Sequence, residues 1–280
     1  MNWTRQPQTF TGFSPRYPRP RFCYVPTFNQ RNDIVGGLTG AAGSGESCRP
    51  AQKGVSYRAT RQANGGLNFA SQQAITSETF TVLLIANQTS QSTGQEWCVF
   101  NQRQHSSPEP QFRMYFNATR AEVGSAGKFA AYVYNSGYSS TDTDGTYVDG
   151  AFHVWAATRN GTTNAPVLWV DGAKPAQTSS VSTLTMLASS QSTRIGNIAN
   201  ISTTFGCDAD VPLCVCWNSV LPDTLMAELG RNPWQLFNPL PARVYAFPVT
   251  ATGGTIPLIG RGPGRSLANI GGGIVGAAHA

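Results

Sequence analysis

The chain is 280 residues long with a formal net charge of +6; 40% of its residues are hydrophobic and only 12% are charged. That length supports a buried core without disulfide staples, and the charged share is about half the usual one. No run of about 18 apolar residues is present to span a bilayer, and prolines at 7, 15, 18 and 20 interrupt the N-terminus where a secretory leader would carry an apolar stretch.

The charge is unevenly placed. Residues 1–61 hold nine Arg and Lys against Asp33 and Glu46, a local +7 that leaves −1 for everything else. Residues 1–60 are rich in Pro, Arg and aromatic residues and show no regular period. They are expected to form an extended arm that packs on something, because Trp3, Phe10, Phe13, Tyr17, Phe22, Tyr24 and Phe28 are too many aromatics for a solvated tail. Arg beside Pro and Tyr suits protein surfaces, through stacking and bidentate pairing. An arm for nucleic acid would carry more Lys and fewer Pro, so nucleic acid is the less favoured partner. Gly36 to Gly45 reads as a flexible join.

Strand signals follow from residue 61 to 245. Thr79–Ala86 is a nearly continuous apolar run, right for a strand buried on both faces. Glu96–Phe100 and Gln111–Phe116 alternate, the latter placing Phe112, Met114 and Phe116 on one side. Lys128–Tyr134 alternates less cleanly, and Phe152–Thr158 sets Phe152, Val154 and Ala156 against His153, Trp155 and Ala157. Asn160-Gly161 and Asp171-Gly172 are hairpin signals, since type I′ turns need two residues at positive φ. The second is expected to join Val167–Val170 to Ala173–Gln177. One helix is predicted at Pro222–Leu229, with Asp223 near its positive end, Leu225, Met226 and Leu229 as its apolar stripe, and Gly230 just past its end. Many short strands with a single late helix predict an all-β, antiparallel sandwich.

From residue 246 the composition changes again. Gly253–Gly260 and Leu267–Ala278 are Gly-rich, apolar and free of acids, which makes the segment sticky in water unless it docks on another subunit. Ile256, Leu258, Ile259, Leu267 and Ile270 are its candidate docking residues; Trp3, Arg16, Tyr17, Arg19 and Arg21 are those of the N-terminal arm. The six cysteines form no CxxC pair. Cys214 and Cys216 point the same way along a strand, so the thiols are expected to be free.

The stretch from about Gly66 to Pro239 resembles a laminin-G-like domain of the concanavalin superfamily. Phe152-His153-Val154-Trp155-Ala156-Ala157-Thr158-Arg-Asn-Gly161 matches a "W-H-V-A-x-T-x-x-G" strand, and Leu168-Trp169-Val170-Asp171-Gly172 matches "L-Y-V-D-G". Ile195-Gly196 and the run from Gly206 through Trp217-Asn218 to Leu221 follow in the same order, and Asn232-Pro-Trp-Gln-Leu-Phe237 resembles the ending of bacteriophage and prophage copies. The resemblance implies a concanavalin-like jelly-roll sandwich over 61–245, flanked by arms at 1–60 and 246–280.

Catalytic relatives in that superfamily carry a Glu-x-Asp-x-x-Glu strand, whose alternate carboxylates cleave glycosides. This chain has no such cluster and no serine-hydrolase elbow, so it is expected not to be an enzyme. His153, inside a strand, is expected to be packed rather than catalytic. No cofactor is required by the sequence. Calcium is the one metal the resemblance suggests, with Asp142, Asp144, Asp208 and Asp210 as its candidate ligands. Aromatic faces for sugar binding would come from Tyr138, in a Ser/Gly-rich loop, with Trp97 and Tyr134. The expectation is a structural protein of a tailed-bacteriophage virion: head decoration, head fibre or tail component. It would be made in the bacterial cytoplasm, held by its arms to capsid or tail subunits, homo-oligomeric, outside any membrane, and able to take a host-surface glycan. The alternative is a soluble glycan-binding lectin module with no assembly role.

Overall fold

The computed structural model describes residues 6–7, 9–29, 32–37, 39–42, 47–51, 54–59, 66–70, 73–88, 97–103, 110–116, 127–187, 191–197, 207–237, 244–246 and 259–261. Two antiparallel sheets make the body of the first compact unit, Met1–Asn238. The five-stranded sheet runs in the order β1 (Phe22–Tyr24), β16 (Leu213–Trp217), β6 (Phe80–Asn87), β11 (Phe152–Arg159) and β12 (Val167–Val170). The eight-stranded sheet runs β13 (Gln177–Ser180), β10 (Tyr138–Thr146), β9 (Lys128–Tyr134), β8 (Gln111–Phe116), β7 (Trp97–Arg103), β14 (Ser192–Ile195), β5 (Leu67–Phe69) and β2 (Ala41–Ala42). A small third sheet joins β3 (Ser47–Ala51), β4 (Gly54–Ala59) and β15 (Ala209–Val211). The fold is thus the antiparallel β sandwich that the alternating strands predict.

The core lies between the two large sheets. Phe80, Val82 and Leu84 of β6 and Trp155 of β11 meet Phe100, Phe112, Met114 and Phe116 from the facing sheet, all of them buried. Their rings pack edge to face: Phe80 and Phe112 lie 4.7 Å apart, Phe116 and Trp155 4.6 Å. Such pairs add roughly 0.5–1.5 kcal/mol each beyond their area.

A second apolar layer covers the other face of the five-stranded sheet. The other alternate side chains, Leu83, Ile85, Val154, Val215 and Trp217, are buried beneath Tyr17, Val25, Leu221, Met226, Leu229, Trp234 and Phe237. The helix α2 spans Asp223–Arg231, with Pro222 as its N-cap residue, and runs into a 3₁₀ turn at Pro233–Leu236.

Two local expectations change. The 1–60 segment carries regular structure: its Phe22–Tyr24 pairs with β16, because every side chain of that three-residue strand is buried and no alternation marks it. A short helix, α1, follows at Pro26–Asn29. Asp33 seals the open edge of β1, its carboxylate accepting from the backbone N–H groups of Cys23, Val35 and Gly36 at 2.7–3.0 Å. Gly230 lies inside α2 rather than beyond it: a Cβ there would sit 2.0 Å from the backbone nitrogen of Gly172, so the glycine serves a close approach, not a cap.

The turn signals divide as well. Asp171 and Gly172 both take positive φ (54° and 81°) and close a two-residue hairpin, Val170 and Ala173 exchanging backbone bonds at 2.9 and 3.0 Å. After Ala173 the chain crosses to the eight-stranded sheet, where Gln177–Ser180 pairs with β10. At Asn160-Gly161 only the glycine is at positive φ, and the connection is a longer loop to Val167. The second unit, Pro239–Ala280, shows one hairpin among its described residues, β17 (Val244–Ala246) with β18 (Ile259–Arg261).

Candidate functional site

The outer face of the eight-stranded sheet is where polar chemistry collects. Strand alternation sends Phe112, Met114 and Phe116 inward and turns Gln111, Arg113 and Tyr115 outward. The same rule turns out Lys128, Ala130, Tyr132 and Tyr134 from β9, and Tyr138, Ser140 and Asp142 from β10. Past the β-bulge between Cys98 and Phe100, β7 presents Asn101 and Arg103. Register then lines these residues up across strands. One row reads Arg194, Asn101, Arg113, Tyr132, Ser140 and Ser180; the next reads Ser192, Arg103, Gln111, Tyr134 and Tyr138.

Four tyrosines form a connected array on this face. Ring centroids are 5.4 Å apart for Tyr115–Tyr132, 5.4 Å for Tyr132–Tyr138 and 4.8 Å for Tyr134–Tyr138. The Arg113 guanidinium carbon lies 5.0 Å from the Tyr132 ring centre, within cation–π range. Tyr115 and Tyr132 are buried, whereas Tyr134 and Tyr138 are half-buried. Beyond Ala130, Lys128 Nζ pairs with Asp142 Oδ2 at 3.4 Å. On the edge strand β13, the Thr178 hydroxyl donates to Asp144 at 3.1 Å.

Tyr134 and Tyr138 are therefore brought together as the sequence suggests, with Tyr138 opening a strand rather than lying in a loop. Trp97 is separated from them. It is 2% exposed, is paired in register with Phe116, and belongs to the cluster between the sheets, so its ring offers no face to a ligand. Arg103, Arg113, Arg194, Tyr115 and Lys128 are the outward residues that sequence reading passed over. The alternation in Gln111-Phe-Arg-Met-Tyr-Phe already contains two of them. Arg194 and Arg103 stand on neighbouring paired strands, in the Arg194–Asn101 and Ser192–Arg103 pairs, and burial, then the charge of Arg103, pushes the Arg194 guanidinium below its ordinary pKa.

The four aspartates proposed for calcium have other engagements. Asp142 faces Lys128, and Asp144 accepts from Thr178. Asp210 is held by two guanidinium groups, Arg49 at 3.0 and 3.1 Å and Arg58 at 3.4 Å, which takes its carboxylate out of the ligand set. Asp208 stands half-buried just before β15, well away in sequence from the β10 pair. Among the described residues no group of three or more His, Cys, Asp or Glu side chains could hold a metal ion. The six cysteines are free thiols.

His153 has a structural setting. Its Nδ1 meets Asp171 Oδ2 at 2.6 Å and its Nε2 meets Asp149 at 3.2 Å, while the other Asp171 oxygen accepts from the backbone N–H of Val154. The bond to Asp171, outweighing burial, raises the imidazole pKa above its ordinary value. Both ring nitrogens are thus bound to carboxylates, a clamp between two loops rather than a base facing a substrate.

The N-terminal candidates are also placed. Tyr17 is buried against the helix layer, its hydroxyl near Glu228 and Gln235, and Arg16 pairs with Glu228. Arg19 and Arg21 are exposed. Trp3, Ile256, Leu258, Leu267 and Ile270 lie outside the described residues, and Ile259 is described only as the first backbone position of β18.

No family model and no curated protein matches this sequence. Solved structures do. Domain 4 of an extracellular arabinanase from Geobacillus stearothermophilus, in complex with arabinotriose, aligns with a TM-score of 0.58 at 12% identity, covering 76% of this chain and 98% of that one. The fold shared with it is an antiparallel β sandwich. The binding domain of botulinum neurotoxin serotype G aligns at a TM-score of 0.54 and 10% identity over 75% of this chain, and that of Paraclostridial Mosquitocidal Protein 1 at 0.52 and 10% over 71%. The chain spans about half of each toxin structure (50% and 48%). A Trypanosoma rangeli sialidase aligns at 0.53 and 11% identity, with 32% of its length covered.

Proposed function

We propose that this chain is a non-enzymatic, lectin-like carbohydrate-binding domain, and that it binds through the outer face of its eight-stranded sheet. The observation that carries the reading is the tyrosine array ending in half-exposed Tyr134 and Tyr138. Flat aromatic rings stack on the apolar faces of sugar rings, while Ser, Thr, Asp and Lys neighbours satisfy the hydroxyls. Two of the similar structures are named as binding domains and a third was solved with an oligosaccharide, which supports the same reading. The absence of a Glu-x-Asp-x-x-Glu strand in the sequence supports binding over cleavage. A glycan array on the intact protein tests it: one or more glycan classes bind, and Tyr138→Ala loses roughly tenfold or more in affinity for them. A blank array, or hits unmoved by Tyr138→Ala, sinks the proposal.

A second reading sets this domain in a tailed-phage virion, as a head decoration, head fibre or tail component that meets capsid or tail subunits and forms homo-oligomers. Exposed Arg19 and Arg21 beside the sheet edge at β1, and the Gly-rich apolar sequence of 246–280, favour it. Mass spectrometry of purified particles decides: presence of the chain at fixed copy number supports assembly, and its absence from particles removes that role.

A further inference from the structure

We infer that β13 is an assembly edge: two copies of this chain pair their Gln177–Val181 segments antiparallel across a two-fold axis, joining their eight-stranded sheets into one. This does not depend on what the outer face of the sheet binds. An edge strand offers its outward N–H and C=O groups to any other strand, and proteins blunt such edges. Three edges of this sandwich are blunted. On β1, the Cys23 N–H donates to Asp33 Oδ1 at 2.9 Å and its carbonyl accepts from the Ile34 N–H at 2.8 Å. On β12, the Leu168 N–H donates to Gln177 Oε1 at 2.9 Å, and Val170 exchanges backbone bonds with Ala173. At the far side of the eight-stranded sheet, β2 is only two residues long.

Among the described residues β13 has no such closure. The Asp144 N–H donates to the Ala176 carbonyl at 2.9 Å, one step beyond the Thr143–Gln177 pair. Hydrogen-bonded pairs alternate along an antiparallel ladder, so Thr178 and Ser180 bond to β10 while Gln177 and Ser179 turn their backbone groups away from it. Val181 comes next in that phase. Thr178, Ser179, Ser180 and Val181 are exposed, Val181 at 60%, so this edge faces solvent. No charge or proline interrupts it: Lys174 and Pro175 precede the strand, and the next charged residue is Arg194.

The edge complements itself. With the axis through Ser179, the outward pairs are Ser179 with Ser179 of the second copy and Gln177 with Val181 of the second copy, each exchanging two backbone bonds. Between them Thr178 meets Ser180 of the second copy on the outer face, where cross-strand hydroxyls hydrogen-bond. No like charges are opposed, and a two-fold contact of this kind closes at two copies. Charges or pockets would select a foreign strand; Gln177–Val181 carries an amide, hydroxyls and one aliphatic side chain, which suit its own copy. The paired segment is short, so the contact is weak and concentration-dependent.

Sedimentation of the full chain across a wide concentration range tests the edge, and a dimer is expected to grow in with loading. Ser179→Pro removes an outward N–H without touching the ladder to β10, and Val181→Lys sets a charge on the edge. Each is expected to weaken the dimer roughly tenfold or more while keeping the thermal midpoint of the monomer; Val181→Lys alone decides if Ser179→Pro lowers that midpoint. Thr178→Cys and Ser180→Cys in one chain set thiols opposite each other across the axis at a Cα spacing of roughly 4.5 Å, within disulfide reach. Mild oxidation is expected to give a covalent dimer that the parent does not form. A chain that stays monomeric at every loading, a dimer untouched by Val181→Lys, or cross-linking no greater than the parent's overturns the inference.

Discussion

The two outer faces of this sandwich differ in chemistry. The outer face of the five-stranded sheet is roofed: Leu83, Ile85, Val215 and Trp217 lie under the N-terminal segment, the helix and the 3₁₀ turn. The outer face of the eight-stranded sheet bears tyrosines, arginines, hydroxyls and a Lys–Asp pair. An apolar stripe can be satisfied only by burial, so the first face consumes local sequence to make its roof. The second face is amphipathic, and although Arg113, Tyr115 and Tyr132 on it are buried, Tyr134, Tyr138, Lys128 and Asp142 are only half-buried and Thr178 and Ser180 are exposed. The proposed binding surface therefore lies on the side away from this roof.

Substitutions on the roofed side test the stability half of that contrast and have the largest expected effect. Trp217 is buried and its indole N–H donates to the Pro18 carbonyl at 2.8 Å, tying β16 to the N-terminal segment. Trp217→Ala should cost about 3–5 kcal/mol in chemical denaturation. A loss under about 1 kcal/mol would mean that the roof is not part of the folded unit. Next comes Gly230→Ala. In an open helix this change stabilises by about 1 kcal/mol; here the added methyl group meets the backbone of Gly172, and a loss of about 1–3 kcal/mol is expected instead. A gain would show that the helix does not press on the Asp171-Gly172 turn.

The smallest of these effects is a pH dependence. The folded His153 pKa is raised by Asp171 and Asp149, so its clamp is fully present below the unfolded value of about 6.5 and fades as pH rises through the folded value. The thermal midpoint of the parent should fall slightly over that window relative to His153→Gln. Identical slopes in the two proteins would show that the clamp contributes nothing.

Much of the roofed side and the core was legible before the fold was known. The Thr79–Ala86 run, the alternation of Gln111–Phe116 and the Asp171-Gly172 turn each carry their structure locally, in period or in backbone freedom. The strand Phe22–Tyr24 was not legible, because a three-residue strand buried on all sides has no period and stands among prolines. Gly230 was misread for a related reason: its neighbour is Gly172, distant in sequence, and close approach between two backbones leaves no local mark. The candidate site falls between these cases. Tyr138 and Tyr134 stood out as aromatics among hydroxyls and glycine. What joins them to Tyr132, Arg113, Lys128 and Asp142 is cross-strand register, which is fixed by pairing between distant segments. Trp97 failed as a candidate because its strand's parity, altered at the Cys98–Phe100 bulge, turns it inward.

The most direct test of the contrast is one binding experiment on two variants. The strongest glycan from the array is titrated into Tyr138→Ala, at a half-buried position of the eight-stranded sheet, and into Leu225→Ala, where helix α2 packs over the five-stranded sheet. The account predicts that binding collapses in the first and persists in the second, whose melting temperature alone falls. Full binding by Tyr138→Ala, or loss confined to Leu225→Ala in its folded state, would contradict it.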